Sequence, residues 1–128
     1  MKLLIVEDQA TDLRIAAQAA EGSGFGEVDA RSSAGAARLY LEKGLEGTGP
    51  MPDAIVLDLD LGYESGFELL RYWHSEPRLS SIPLVVWTVL GDQYRQICQM
   101  FKVQAYLDKG EGISTLRNEL DGLAKRAL

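Results

Sequence analysis

The sequence has too few cysteines for a disulfide framework and no apolar run long enough for a membrane span. It contains one cysteine, Cys98, and one histidine, His74, in 128 residues. A single cysteine cannot form an internal disulfide, so we expect a reducing compartment and predict a cytoplasmic protein. No apolar run approaches the ~18 residues that a membrane span needs. The opening MKLLIV is too short for the core of a signal peptide.

Positive charge is also scarce. Thirteen Lys and Arg residues face 19 Asp and Glu residues, which gives a net charge of −6 and argues against general nucleic-acid binding. Apolar residues make up 46% and charged residues 25%, as in an ordinary globular protein. We expect one domain, 1–128, without a linker or an output domain, because the last helical pattern runs almost to Leu128.

Short apolar runs predict the strands of a parallel sheet. They are rich in Val, Ile and Leu and do not alternate with polar residues, which is typical of strands buried on both faces. A weaker run does alternate and predicts an edge strand. The main runs are 3–6, 54–57, 84–87 and 105–107, and the weaker run is 27–30.

Apolar residues recur at helical spacing between these runs and predict five helices. The patterns lie in 13–20, 37–44, 67–73, 94–101 and 113–127. Ser65 and Asp92 are candidate N-caps of the third and fourth helices. Strands that alternate with helices predict the α/β fold class, with a doubly wound sheet and right-handed crossovers.

Polar residues collect where four of the five predicted strands end. In an open parallel sheet, functional groups gather beyond the carboxyl ends of the strands. Carboxylates that point at one spot repel each other, a bound cation relieves this, and oxygen ligands favour Mg²⁺. Lysine and threonine would supply the donors that a phosphoryl group needs. The residues are Glu7 and Asp8, then Asp58, then Thr88, then Asp108 and Lys109.

The segment IVLDLDLG, 55–62, places two aspartates two residues apart and allows two interpretations. In a phosphatase of the haloacid dehalogenase type, Asp58 would attack a phosphate and Asp60 would serve as acid and base. In the other interpretation, Asp58 is a phosphate acceptor and the Asp60 side chain has no required role.

Four motifs occur in a fixed order at strand ends: LLIVED (3–8), IVLDLDLG (55–62) followed by Ser65–Gly66, LVVWT (84–88) and AYLDKG (105–110). With them, the whole chain resembles the receiver domain of two-component response regulators. The segment VEDQATDLR (6–14) is similar to the opening of stand-alone receivers found with phytochrome-type kinases. The resemblance implies a flavodoxin-like (βα)5 sandwich, with a five-stranded parallel sheet in the order 2-1-3-4-5 and helices on both faces.

The resemblance also implies an acceptor and a metal site. Asp58 would take a phosphoryl group from a sensor histidine kinase or a histidine phosphotransfer protein. Asp8 and Asp58 would hold Mg²⁺ through their side chains, Asp60 through its backbone carbonyl, and Glu7 mainly through water. The implied protein is a phosphoacceptor in signalling, not an enzyme, apart from its self-catalysed phosphotransfer and autodephosphorylation.

A switch follows from the same resemblance. Thr88 and Lys109 would bind the phosphoryl oxygens, and Tyr106 would change rotamer and turn inward on activation. The face made by the fourth helix, fifth strand and fifth helix would then act on a downstream protein or pass the phosphoryl group on. We expect a monomer or a weak homodimer through that face.

Acid positions favour the acceptor over the phosphatase. In the dehalogenase type, the metal-binding acids lie downstream of the lysine, whereas the acid pair here, Glu7 and Asp8, lies upstream of Lys109.

Two departures from the receiver pattern keep a third interpretation open, a binding module that does not need phosphate. Receivers usually follow the lysine with a cis proline, where this chain has Gly110, and the threonine with a small residue, where it has Val89.

Overall fold

Five parallel strands form the centre of the structure, a computed structural model that describes residues 1–127. Their spatial order is β2-β1-β3-β4-β5, and every neighbouring pair is parallel. This confirms the predicted fold class and strand order. The strands are β1 (Lys2–Val6), β2 (Glu27–Arg31), β3 (Ala54–Leu57), β4 (Leu84–Thr88) and β5 (Ala105–Asp108).

Helices connect the strands and cover both faces of the sheet. They are α1 (Ala10–Ala20), α2 (Ala34–Glu46), α3 (Gly66–Ser75), α4 (Arg95–Met100) and α5 (Ile113–Arg126). A short helical turn, Pro77–Ser80, follows α3. No helix within residues 1–127 combines the length and the apolar character that crossing a membrane requires.

Side chains of the central strands alternate between two apolar layers, which is why the runs 3–6, 54–57 and 84–87 are apolar at every position. In β1, Leu4 and Val6 pack in the layer that contains residues of α2, α3 and α4. Leu3 and Ile5 pack in the opposite layer, with residues of α1 and α5. Because successive strand residues point to opposite faces, a strand covered on both sides has no solvent-facing positions along its length.

The fourth helix is shorter than the sequence predicts. The pattern in 94–101 spans more than α4, which is preceded by a 3-10 turn, Gly91–Tyr94. Ser65 does cap α3, since its Oγ accepts a hydrogen bond from the Phe67 N–H at 3.2 Å. The predicted cap at Asp92 is wrong, because its carboxylate accepts two hydrogen bonds from the Arg95 guanidinium, at 2.9 and 3.0 Å.

A small hairpin that the sequence analysis did not predict follows β3. Its two-residue strands, Asp60–Leu61 and Glu64–Ser65, pair antiparallel. Gly62 makes the turn with φ +70°, a left-handed conformation that favours glycine. The Glu64 carboxylate accepts a hydrogen bond from the Ala34 N–H at the start of α2, at 2.7 Å. The hairpin is thereby tied to a distant helix.

Candidate functional site

Burial of polar side chains is concentrated at one edge of the sheet. In the part of the chain that the structure describes, the buried polar or charged residues are Glu7, Asp58 and Thr88, at 2%, 3% and 0% exposure. They stand at the carboxyl ends of β1, β3 and β4. Burying a charge is costly unless it is paired, so the partners of these carboxylates define the site.

Lys109 is the common partner. Its ammonium donates hydrogen bonds to Glu7 Oε1 at 2.6 Å, Asp12 Oδ2 at 2.7 Å and Asp58 Oδ2 at 2.8 Å. Only 8% of its side chain is exposed. The structure thus brings Lys109 together with Glu7 and Asp58, which lie about a hundred and about fifty residues away in the chain.

A local motif orients Lys109 without a proline. Residues 1–127 contain no cis peptide bond, so the bond between Lys109 and Gly110 is trans. Lys109 begins a 3-10 turn, Lys109–Glu111, that is closed by a capping box. Asp108 Oδ1 accepts from the Gly110 N–H at 2.7 Å, and Glu111 Oε1 accepts from the Asp108 N–H at 3.4 Å. These bonds fix the backbone on both sides of Lys109.

Burial and pairing act in opposite directions on the site's charges. Burial raises the pKa of Glu7 to about 7, although the hydrogen bonds from Lys109 and from the Gln9 N–H oppose the rise. Burial alone would lower the pKa of Lys109, but its bonds to Asp12, Asp58 and Glu7 together outweigh this and raise the pKa above its usual value. Lys109 is therefore a fixed positive charge among acids.

The Asp58 carboxylate is held at both oxygens. Lys109 donates to Oδ2 at 2.8 Å, and the Asp60 backbone N–H donates to Oδ1 at 3.0 Å. The Asp60 residue itself is exposed, and its side chain takes no part in the Lys109 cluster. The two aspartates of the motif therefore have different environments, and Asp58 is the one placed among the charged groups.

Three acids suit a hard divalent cation. Glu7, Asp8 and Asp58 each offer a carboxylate oxygen, and these oxygens lie within 4.8 Å of one another. Carboxylate oxygens are the ligands that Mg²⁺ prefers in proteins. Asp8 Oδ1 is buried and has no hydrogen-bond partner within residues 1–127. An unpaired buried carboxylate oxygen is costly, and a cation would satisfy it.

Thr88 and Val89 stand at the carboxyl end of β4, the edge of the sheet at which this cluster lies. Thr88 ends β4, the strand beside β3, and its Oγ1 is buried without a partner among the residues described. The hydroxyl is therefore free to donate to a new acceptor. Val89 follows it and is 60% exposed, so its side chain stands at the surface and is not packed into the core.

Tyr106 is buried beneath the loop that follows β4. It is 5% exposed, and its hydroxyl donates to the Gly91 carbonyl at 2.6 Å. The Arg95 guanidinium lies 5.0 Å from the centre of its ring and donates to its backbone carbonyl at 3.0 Å. The rotamer change expected of Tyr106 stays a prediction. It would require the hydrogen bond from the Tyr106 hydroxyl to Gly91 and the contact between the ring and Arg95 to break.

Sequence reasoning missed two residues around Lys109. Asp12, in the first turn of α1, accepts one of its three hydrogen bonds, and the Trp87 ring lies 4.9 Å from its ammonium. Asp12 belongs to the segment VEDQATDLR (6–14), close in sequence to Glu7 and Asp8, but no local pattern showed that it would reach Lys109. Trp87 lies in the apolar run of β4 and is 3% exposed, so its sequence position indicates core packing and gives no sign of the contact with Lys109.

Comparison with known proteins agrees with this geometry. A family model described as the response regulator receiver domain matches residues 3–121. Among curated proteins, the response regulator Rcp1 of Synechocystis sp. is 27% identical over 124 residues, which cover 94% of this chain and 84% of that protein.

Solved structures show the same similarity. The Mn²⁺-bound form of response regulator Rcp1 has a TM-score of 0.78 at 29% identity, over 95% of this chain and 90% of the other. The phosphorylated cyanobacterial phytochrome response regulator RcpA has a TM-score of 0.79 at 30% identity, over 95% and 89%. One of these similar proteins binds a divalent metal and the other carries phosphate.

Proposed function

Because this chain belongs to the response regulator receiver domain family, we propose that it accepts a phosphoryl group on Asp58 from a sensor histidine kinase or a histidine phosphotransfer protein. The observation that carries this proposal is the placement of the Asp58 carboxylate. It is almost fully buried, 2.8 Å from the Lys109 ammonium and close to the carboxylates of Glu7 and Asp8. The similarity to a phytochrome response regulator supports a phytochrome-type kinase as the donor.

The reaction is an in-line displacement at phosphorus. An Asp58 oxygen forms a bond to phosphorus, and the bond to the leaving nitrogen of phosphohistidine breaks with its electron pair. Lys109 transfers one hydrogen bond from the carboxylate to a phosphoryl oxygen and stabilises the charge that develops there. The Asp60 N–H keeps the acceptor carboxyl oriented, because its bond to Oδ1 survives attack through the other oxygen.

We propose Mg²⁺ as the metal of the site. Asp8 and Asp58 would hold it through side chains, Glu7 mainly through water, and Asp60 through its backbone carbonyl. The unpaired Asp8 Oδ1 and the grouped carboxylate oxygens support this assignment. When bound, Mg²⁺ supplies positive charge to the crowded acids and to the phosphoryl oxygens.

Phosphorylation would be transmitted through Thr88 and Tyr106. The adduct adds about −1.5 to −2 charge, and the free Thr88 hydroxyl is a donor for it. Movement of Thr88 carries the loop that holds the Tyr106 hydroxyl, so the surface of α4, β5 and α5 changes with it. Near-complete switching requires a bias of roughly 5.5 kcal/mol between the two states. The changed surface would bind a downstream protein or a second copy in a weak homodimer.

A second candidate function is a binding module that works without phosphate. Tyr106 is already buried and bonded to Gly91, as it would be after an inward turn. In that case the face of α4, β5 and α5 would bind its partner whether or not Asp58 is modified.

Labelling by a small phosphodonor tests the proposal. Wild type, Asp58→Asn and Asp60→Asn are incubated with Mg²⁺ and acetyl phosphate, and the intact proteins are weighed. We expect one labile phosphoryl group on wild type and Asp60→Asn and none on Asp58→Asn, because the amide is isosteric but a poor nucleophile. Labelling of Asp58→Asn with loss in Asp60→Asn would reverse the assignment. An unlabelled wild type would favour the phosphate-independent module.

A further inference from the structure

The Lys109 ammonium uses all of its donors on three carboxylates. An ammonium has three N–H donors and no acceptor. Each donor bonds to a different acid, at 2.6 Å to Glu7, 2.7 Å to Asp12 and 2.8 Å to Asp58. Because Asp58 is the proposed acceptor, Lys109 must move at least one of these bonds when a phosphoryl group arrives.

Asp12 differs from the other two acids in its position. Glu7 and Asp58 stand at strand ends and are almost fully buried, whereas Asp12 lies on α1 and its side chain is 30% exposed. An acid in the first turn of a helix is favourable by itself, since it complements the helix dipole. The Asp12 carboxylate also accepts a hydrogen bond from Lys109, which follows β5 and lies 97 residues away in the chain.

Trp87 closes the remaining side of the ammonium. Its ring centre lies 4.9 Å from Lys109 Nζ, within the range of a cation–π contact. Lys109 is thus held between α1, the ends of β1 and β3, and the aromatic ring of β4. Removal of Asp12 would leave a long, flexible side chain with one contact fewer at its charged end.

We infer that Asp12 is a positioning residue that keeps Lys109 in place while Asp58 changes from a carboxylate to an acyl phosphate. This inference rests on the proposed function. During transfer, an Asp58 oxygen bonds to phosphorus, the donor's leaving group departs with its electron pair, and Lys109 exchanges its Asp58 bond for a phosphoryl oxygen. Asp12 and Glu7 retain the other two donors, so the ammonium does not swing away during the exchange.

Two substitutions separate charge from position. Asp12→Asn keeps an oxygen acceptor for Lys109 and removes the charge, whereas Asp12→Ala removes both. Glu21→Gln is the matched control, because Glu21 is an exposed acid just past the other end of α1. It changes the net charge by the same amount far from Lys109.

Labelling rates at saturating Mg²⁺ give the kinetic test. We expect Asp12→Ala to be labelled by acetyl phosphate about tenfold more slowly than wild type, Asp12→Asn about threefold more slowly, and Glu21→Gln at the wild-type rate. Equal rates in all four proteins would reduce Asp12 to a stabiliser of α1. Faster labelling of both Asp12 variants would show that Asp12 only repels the donor. Either result would overturn the inference.

The lysine ammonium signal in ¹⁵N NMR gives a second test that needs no phosphorylation. A buried ammonium with three partners exchanges its protons slowly and gives a resolved signal, which Lys109→Arg identifies by its loss. We expect the signal to persist in Glu21→Gln and to broaden beyond detection in Asp12→Ala. An unchanged signal in Asp12→Ala would refute positioning by Asp12. A wild type that shows the signal but is never labelled would instead refute the proposed function.

Discussion

The first residue of α3 lies directly behind the acceptor and leaves no room for a side chain. A Cβ added at Gly66 would lie 2.8 Å from Leu59 Cα and would overlap the carbonyl oxygen of Asp58. Carbon atoms in contact prefer about 3.5–4.0 Å, so the start of α3 would have to move by about 1 Å. We therefore predict that Gly66→Ala destabilises the fold and displaces Asp58.

The size of the effect follows from two contributions. Overpacking of a close contact costs about 1–3 kcal/mol. The hydrogen bond from the Gly66 N–H to the Leu59 carbonyl, at 2.8 Å, would weaken with it and cost about 1 kcal/mol more. Alanine regains at most about 1 kcal/mol from helix propensity. The net loss in the free energy of unfolding is about 1–3 kcal/mol.

Gly35 provides the matched control. It lies in the first turn of α2, its φ is not positive, and a Cβ there meets no atom within 4 Å. Gly35→Ala should therefore be neutral or up to about 1 kcal/mol more stable than wild type. Urea unfolding curves of the three proteins, compared at a common m-value, measure the difference. If Gly66→Ala proves as stable as Gly35→Ala, the close approach between α3 and the acceptor strand does not constrain the fold.

Two further predictions concern the metal and the mouth of the site. Mg²⁺ should change the fluorescence of Trp87, whose ring contacts Lys109, and Asp8→Ala should abolish this change. A titration that is the same in both proteins would contradict the assignment of Asp8 to the metal site. Val89→Ala should speed labelling by acetyl phosphate and shorten the lifetime of the adduct, because Val89 follows Thr88 directly and its stiff β-branched side chain would hinder access to Asp58. Since Val89 is 60% exposed, the stability cost should stay below about 1.5 kcal/mol, and slower or equal labelling would show that Val89 points away from Asp58.

The sheet was predictable because its three central strands, β1, β3 and β4, are buried on both faces. Each predicted run lies within one residue of an observed strand at both ends, and the buried pattern of β1 shows why no polar residue interrupts it. The positions of Glu7, Asp58 and Lys109 at strand ends also predicted that they lie near one another, because parallel strands bring their carboxyl ends to the same edge of the sheet. These inferences need only local pattern and topology.

The contacts around Lys109 were not predictable in the same way. That Asp12 reaches the ammonium depends on how α1 packs beside the start of α5, and no local pattern encodes that packing. The pattern in 94–101 predicted a longer α4, because apolar spacing does not show that Tyr94 belongs to a 3-10 turn and that Phe101 is already the C-cap. Asp92 does not cap α4 because its carboxylate is hydrogen-bonded to the Arg95 guanidinium.

The short helix α4 differs from the strands in how firmly it is anchored. Its single buried residue is Cys98, whereas β1 and β3 are each paired on both sides and buried along almost their whole length. Free energies of local unfolding follow such differences in burial. Amide protons of α4 should therefore exchange through small openings, and those of β1 and β3 only through global unfolding. We therefore expect α4, one of the three elements of the proposed output surface, to melt and re-form locally while the acids of the acceptor site stay assembled.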